Sequence, residues 1–275
     1  MSNTGENDLN GVDSMLEMNS DTSSSTPERP TTDRARGGDI VEFRSDMRVE
    51  LVKANASDAD VVWAARVSTK GESSLADVDA DPKRSQGLIN YLMRDRHGTP
   101  FEHNSMTFFV NAPIFVFREF MRHRIASYNE ESGRYRELQP VFYVPAPERK
   151  LIQQGKPGAY DFVDGTLEQH HVVVEETRKA CQQAYTSYQV MLAAGVAREV
   201  ARGVLPVTTY SSMYVTMNAR SLMNFLSLRT KREDSHFPSF PQREIEMVAE
   251  LMENEWATLM PLTYAAFEHN GRVSP

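Results

Sequence analysis

A chain of 275 residues with 40% apolar content is long enough to bury a sizeable core in one or two domains. Its formal charge of −8 argues against nucleic acid as the main partner, and a single cysteine, Cys181, excludes an internal disulfide framework and any all-cysteine metal site. No apolar run approaches the span of a membrane helix and the N-terminus lacks a hydrophobic signal core, so the expectation is a soluble, cytoplasmic protein with no membrane partner.

Residues 1–38 are rich in Ser, Thr, Asn, Asp and Gly and lack apolar periodicity, which predicts a disordered tail; residues 39–275 are expected to form a single catalytic domain. Residues 47–52 alternate apolar and polar side chains as a half-buried strand does. Ser57 and Asp58 then open a helix running from 59 to 67, and a second spans 82–96 with Leu88, Ile89, Leu92 and Met93 as its buried stripe. His97-Gly98-Thr99-Pro100 breaks it, and 101–110 reads as a strand. Pro113 suits the first turn of a short apolar helix whose last turn would carry Arg122, His123 and Arg124. A polar loop follows, then a short strand at 141–143 and a long loop over 145–165. A long helix from 166 to 194 ends at Gly195, the expected left-handed cap, and a helical turn or two over 198–204 stops at Pro206. Residues 207–210 and 213–217 are β-branched and aromatic enough for strand, 218–229 for helix, and 242–256 for the last long helix. Few strands and long helices give an α+β class, a small mostly antiparallel sheet covered by helices.

The chemistry concentrates between Arg122 and Tyr135, where three arginines, a histidine and two glutamates stand within fourteen residues. A guanidinium offers a rigid fork of donors matching phosphates and carboxylates, so this cluster beside Ser132 and Arg134 suits a phosphorylated small molecule; cations at a helix end also complement the macrodipole. Arg220 and Asn224 share a helical face, Asn218 and Arg229 align on another, and Arg198 and Arg202 repeat the four-residue spacing. An arginine ending so apolar a helix as 218–229 needs a partner, an internal salt bridge being one. His170-His171 and the pair His97 and His103 lack zinc-site spacing, so no metal is expected. With no P-loop and no Gly-x-Gly-x-x-Gly turn, arginine side chains must hold any nucleotide phosphates. Cys181 lies in a helical stripe and reads as a buried, inert thiol.

Arg122-His123-Arg124, then seven intervening residues, then Ser132 resembles the signature of the flavin-dependent thymidylate synthases. The resemblance extends to residues 97–103, to 198–202 and to 218–222 with Asn224 and Arg229, and covers roughly 47 to 275. It implies bound FAD, NADPH as reductant and methylenetetrahydrofolate as carbon donor for the conversion of dUMP to dTMP, in a homotetramer whose active sites form where subunits meet. By matching positions it implies that Glu119, Arg122, Glu130, Glu131, Ser132, Gly133, Arg134, Arg202 and Arg229 hold dUMP, with Arg134 and Arg202 chiefly on its phosphate. His97, Thr99, Arg122, His123, Arg124, Glu130, Asn218, Arg220 and Asn224 would line the flavin site. Arg229 would be catalytic, stabilising negative charge on the pyrimidine as N3 loses its proton and so raising electron density at C5. Ser132 has no evident activating base and is expected to bind substrate by hydrogen bonding. The segment 230–241 is longer than the family leads one to expect. Two rivals are a non-enzymatic nucleic-acid binder using the arginines and Tyr128, Tyr135 and Tyr143, and a flavoprotein of the same fold acting on another nucleotide.

Overall fold

The computed structural model describes residues 41–77, 82–156 and 159–275, and the expected tail lies outside them. Short strand β1 (Glu42–Arg44) precedes β2 (Arg48–Asn55), in which Val49 and Leu51 turn inward while Arg48 and Glu50 face out. The alternation noted in the sequence is therefore real, and the strand runs on to Asn55 through a bulge between Leu51 and Lys53. Helix α1 (Asp58–Lys70) starts at a capping box formed by Ser57 and Asp60. Helix α2 (Pro82–Arg94) buries Ile89, Leu92 and Met93 as expected.

The segment expected as strand from Phe101 opens instead as a 3₁₀ turn, Thr99–Glu102, closed by the Phe101 amide on the Gly98 carbonyl at 3.0 Å. Strand β3 (Ser105–Pro113) begins after it, and α3 (Ile114–Phe120) follows at once. The expectation that Arg122, His123 and Arg124 fill the last turn of this helix is corrected here. The Tyr128 hydroxyl lies 2.9 Å from the Phe120 carbonyl and 2.6 Å from that of His123, occupying the acceptors that further helical turns would need. What was expected as loop is partly strand: β4 (Ser127–Glu130) pairs with β8 (Tyr210–Met217).

Strand β5 (Val141–Tyr143) appears where expected, and pairs in parallel with β1. The expected loop 145–165 contains a hairpin, β6 (Ile152–Lys156) with β7 (Ala159–Val163). Helix α4 (Leu167–Ala193) opens on a second capping box, Thr166 with Gln169, and ends before Gly195 at φ +80°. Helix α5 (Arg198–Ala201) and a 3₁₀ turn, Arg202–Val204, lead to Pro206. Of residues 207–210, expected as strand, 207–208 are a turn and Thr209 makes an isolated antiparallel bridge with Phe142: Pro206 cannot continue a ladder, and its carbonyl takes both the amide and the hydroxyl of Thr209. Helix α6 (Ala219–Arg229) and α7 (Arg243–Leu259) match expectation, and α8 (Pro261–His269) is an addition.

The fold is α+β. Its main sheet is antiparallel in the order β2-β3-β8-β4. Met106, Phe108, Val110 and Ala112 of β3 and Met213, Val215 and Met217 of β8 line one face, and they share a single core with Leu222, Met223, Phe225 and Leu226 of α6 and Ile245, Val248, Met252 and Trp256 of α7. Burying each large apolar side chain of this set contributes about 1.5–3 kcal/mol. The other face shows Thr107, Phe109 and Asn111 beside Ser212, Tyr214 and Thr216, with Tyr214 50% exposed. A smaller core seats α4 on β1 and β5 through Cys181, Tyr185, Tyr188 and Phe142.

Candidate active site

Helix α6 is set by the Asn218 side chain, which accepts the Ser221 amide at 2.9 Å, and by the Asn104 carboxamide oxygen, which accepts the Ala219 amide at 2.8 Å. Eleven residues on, its last side chain, Arg229, meets the end of α3. Arg229 Nη1 donates to Glu119 Oε2 at 2.7 Å and Nε donates to His123 Nε2 at 3.0 Å. This is the internal partner the apolar helix demanded. An arginine cannot receive a proton here, so His123 must carry its proton on Nδ1 and stay neutral. Burial together with the neighbouring Arg229 cation pushes its pKa down to about 4. Burial raises the Glu119 carboxyl, and Arg229 only partly offsets that rise. Phe225 meets the His123 ring edge-on at 4.9 Å and stacks on Phe120 at 4.8 Å, which fixes the imidazole plane. A cation with two edges committed and 19% of its side chain exposed is thus held at one place and in one orientation.

A second group gathers most of the residues expected to hold substrate. Where β4 ends, Glu130 lies half-buried; burial raises its carboxyl, while a hydrogen bond from Ser211 and the cations Arg118 and Arg202 act the other way. Glu131 pairs with Arg136 at 3.1 Å. The Ser132 hydroxyl accepts the Arg134 amide at 3.3 Å, and Arg134 Nε donates to Glu199 of α5 at 2.8 Å. A Cβ at buried Gly133 would come within 3.0 Å of Arg202 Cδ and of Leu138, so glycine allows the loop and Arg202 to meet closely. Glu199, an arginine partner in this group, stands within residues 198–202, of which the sequence spacing singles out only Arg198 and Arg202.

The third group joins the 3₁₀ turn to α6. Arg220 Nε donates to the Pro275 carbonyl at 2.6 Å and its Nη1 donates to Glu102 Oε1 at 2.6 Å, while Ser274 donates to the Arg220 carbonyl at 3.0 Å. Thr99 and Asn224 lie exposed in the same two elements. Arg122 and Arg124 are exposed, and although the Arg122 amide donates to the Glu119 carbonyl at 3.2 Å, neither guanidinium makes a hydrogen bond or ion pair with another described residue. His97 instead sets its ring edge-on against Tyr91 at 5.5 Å. Within a single chain, no hydrogen bond or ion pair among the described residues links the three groups.

Cys181 is 2% exposed, sits 3.4 Å from the Thr208 hydroxyl, and burial raises its thiol. It is the wrong cysteine for a nucleophile, since a thiolate is disfavoured where it lies.

The sequence profile of the family described as thymidylate synthase complementing protein matches residues 50–262. A flavin-dependent thymidylate synthase of Streptomyces coelicolor is 70% identical over 236 residues, covering 86% of this chain and 96% of the relative. One from Tropheryma whipplei is 61% identical over 233 residues, covering 85% and 97%. A crystal structure of the UMP/dUMP methylase PolB from Streptomyces cacaoi with 5-Br dUMP superposes with a TM-score of 0.82 at 58% identity, covering 86% of this chain and all of that one. The same enzyme with 5-Br UMP gives 0.79 at 56%. A buried cysteine unfit for attack, a pinned arginine at the end of α6 and an extended match to the signature blocks agree with these likenesses, and the chain belongs to the flavin-dependent thymidylate synthase family.

Proposed function

We propose that this protein converts dUMP to dTMP, taking the carbon from methylenetetrahydrofolate and the reducing equivalents from NADPH, with FAD as the flavin. The observation carrying this reading is Arg229, a cation fixed by Glu119 and His123 at the end of an apolar helix, to which we assign the catalytic role. Arg134 and Arg202 would take the substrate phosphate, with Arg134 exchanging Glu199 for it. Both members of that pair are about half exposed, so the exchange costs little. Ser132 and Glu130 would hold the nucleoside by hydrogen bonds. As the pyrimidine N3 loses its proton, Arg229 would stabilise the negative charge and C5 would become the nucleophile toward the one-carbon unit.

The residues present fit a dinucleotide flavin. The exposed guanidinium groups of Arg122 and Arg124, unpaired among the described residues, and the open edge of Arg220 offer donors to a diphosphate, and Asn224 adds a neutral hydrogen-bonding group. His97, Thr99, His123, Glu130 and Asn218 complete the set expected from the family. When bound, the flavin supplies hydride transfer, which removes the need for a cysteine nucleophile. A homotetramer with sites between subunits is supported by the absence, among the described residues of one chain, of a hydrogen bond or ion pair joining the three groups and by the half-open sheet face carrying Phe109 and Tyr214. The reading includes work in the cytoplasm. Among the described residues, no helix is long and apolar enough to cross a membrane.

The test is flavin spectroscopy of the purified protein with NADPH, with and without dUMP, followed by identification of the product. Bleaching accelerated by dUMP and formation of dTMP are expected; no flavin and no dTMP would refute the reading. A second reading has its own support, because the PolB structures hold both ribo- and deoxyribonucleotide analogues. Comparing dUMP, UMP and dCMP as substrates decides between them.

A further inference from the structure

We propose that Glu102, with the backbone of Pro275, is a positioning element that orients Arg220 toward the flavin. The proposal rests on the reading above that Arg220 contacts the cofactor. Its ground is geometric. A guanidinium has five N–H donors in one plane. Here Nε is committed to the Pro275 carbonyl and Nη1 to Glu102, each at 2.6 Å, so the plane is fixed along two edges. The remaining edge, Nη2, belongs to a side chain that is still 43% exposed.

The space around this clamp is closed from behind. A Cβ added at Gly98 would lie 2.5 Å from Arg220 Nε and 2.8 Å from the Pro275 oxygen, so only glycine lets the 3₁₀ turn approach the guanidinium this closely. Pro275 is buried, and Ser274 ties the same segment to the Arg220 carbonyl. Asn104 in turn bonds the Ala219 amide, so the turn carrying Glu102 and the helix carrying Arg220 are held together from both sides. A free arginine would have to surrender rotamer entropy when it bound an anion; this one has done so already.

Glu102 has two conceivable effects on an anionic ligand, and they oppose each other. As a positioning group it strengthens binding, and as a competing anion it weakens it. The experiment reads the sign. Release of FAD on serial dilution of the holoenzyme, followed by the fluorescence of free flavin, is measured for wild type, Glu102→Gln, Gly98→Ala, Arg220→Ala and the double variant Glu102→Gln with Arg220→Ala, with thermal melting as a check on folding. Positioning predicts about tenfold weaker FAD retention for Glu102→Gln and for Gly98→Ala, a loss of about 1.4 kcal/mol. It also predicts that Glu102→Gln adds nothing once Arg220 is alanine, whereas a merely structural role would weaken retention in both backgrounds. Unchanged or tighter retention in Glu102→Gln, with Arg220→Ala weakened, overturns the positioning role alone. Unchanged retention in Arg220→Ala overturns the assignment of Arg220 to the flavin, and the positioning role falls with it.

Discussion

Replacing Arg229 by alanine should separate what this residue does for the fold from what it does for the reaction. Arg229 and Glu119 are 19% and 23% exposed and bonded at 2.7 Å. Breaking a fully buried pair by removing one partner costs about 3–5 kcal/mol. At this exposure solvent screens part of that, leaving roughly 2 kcal/mol. At about 2–4 °C per kcal/mol, Arg229→Ala should melt roughly 4–8 °C below wild type. Losing one fixed stabiliser of developing charge should lower kcat about 10²–10³-fold. In the double variant Arg229→Ala with Glu119→Gln, no anion is left stranded, so most of the stability should return while turnover stays low. Differential scanning calorimetry and dTMP formation measure the two quantities independently. Turnover of Arg229→Ala within threefold of wild type, or a double variant no more stable than the single one, would refute the reasoning.

Three further outcomes follow from the geometry. His123 is held neutral with its pKa near 4, below the ordinary 6.5, so its contribution to stability is complete above pH 6.5 and is lost as pH falls toward 4. At pH 5 that loss is about 2 kcal/mol at most, and roughly 1 after screening, partly countered by Glu119, whose raised carboxyl pulls the other way. Thermal melts from pH 7.5 to 5 should therefore fall more steeply in wild type than in His123→Gln. Arg134→Ala should change stability by less than about 1 kcal/mol, because its partner Glu199 is exposed, yet raise KM for dUMP about tenfold or more; steady-state kinetics at varied dUMP would show it. Cys181→Ala should retain kcat, measured as dTMP formation, and lose only the modest packing of a small buried thiol.

Local signals in the sequence were strong where a helix begins or ends. Thr166 and Gln169 form the capping box their spacing implies, Asn218 caps α6, and Gly195 takes its left-handed conformation. The strand with alternating residues at Val49 and Leu51 was equally legible. By contrast β4 was hidden, because Ser127, Tyr128, Asn129 and Glu130 show no apolar alternation; their strand geometry comes from pairing with β8. The end of α3 was hidden for a related reason, since the hydroxyl that occupies its last carbonyls belongs to Tyr128, beyond the helix itself. Of the site, the sequence pattern carried the residue types but not the pairing. Glu119 and Arg229 are 110 residues apart, and Glu102 and Arg220 are 118 apart, distances over which no spacing rule operates.

The long segment after Arg229 bears on how tightly that residue is fixed. Its first member, Thr230, is 1% exposed and donates its hydroxyl to the Leu226 carbonyl at 2.7 Å, extending α6 by one bond. Arg272, 3% exposed, donates to the same hydroxyl at 2.8 Å and lies 2.6 Å from Glu253 of α7. Arg232 reaches Glu253 as well, at 3.0 Å. A buried cation bonded to a buried carboxylate is costly to disturb, so the backbone leaving α6 is anchored within one residue of Arg229. Beyond that anchor Phe237 and Phe240 are 65% and 52% exposed, while Ser239 donates its hydroxyl to the Thr230 carbonyl at 2.6 Å, so the path from 231 to 238 leaves α6 and returns to the same point. Any length added between Thr230 and Ser239 would therefore be looped out between two bonded points, where it can be accommodated without moving Arg229.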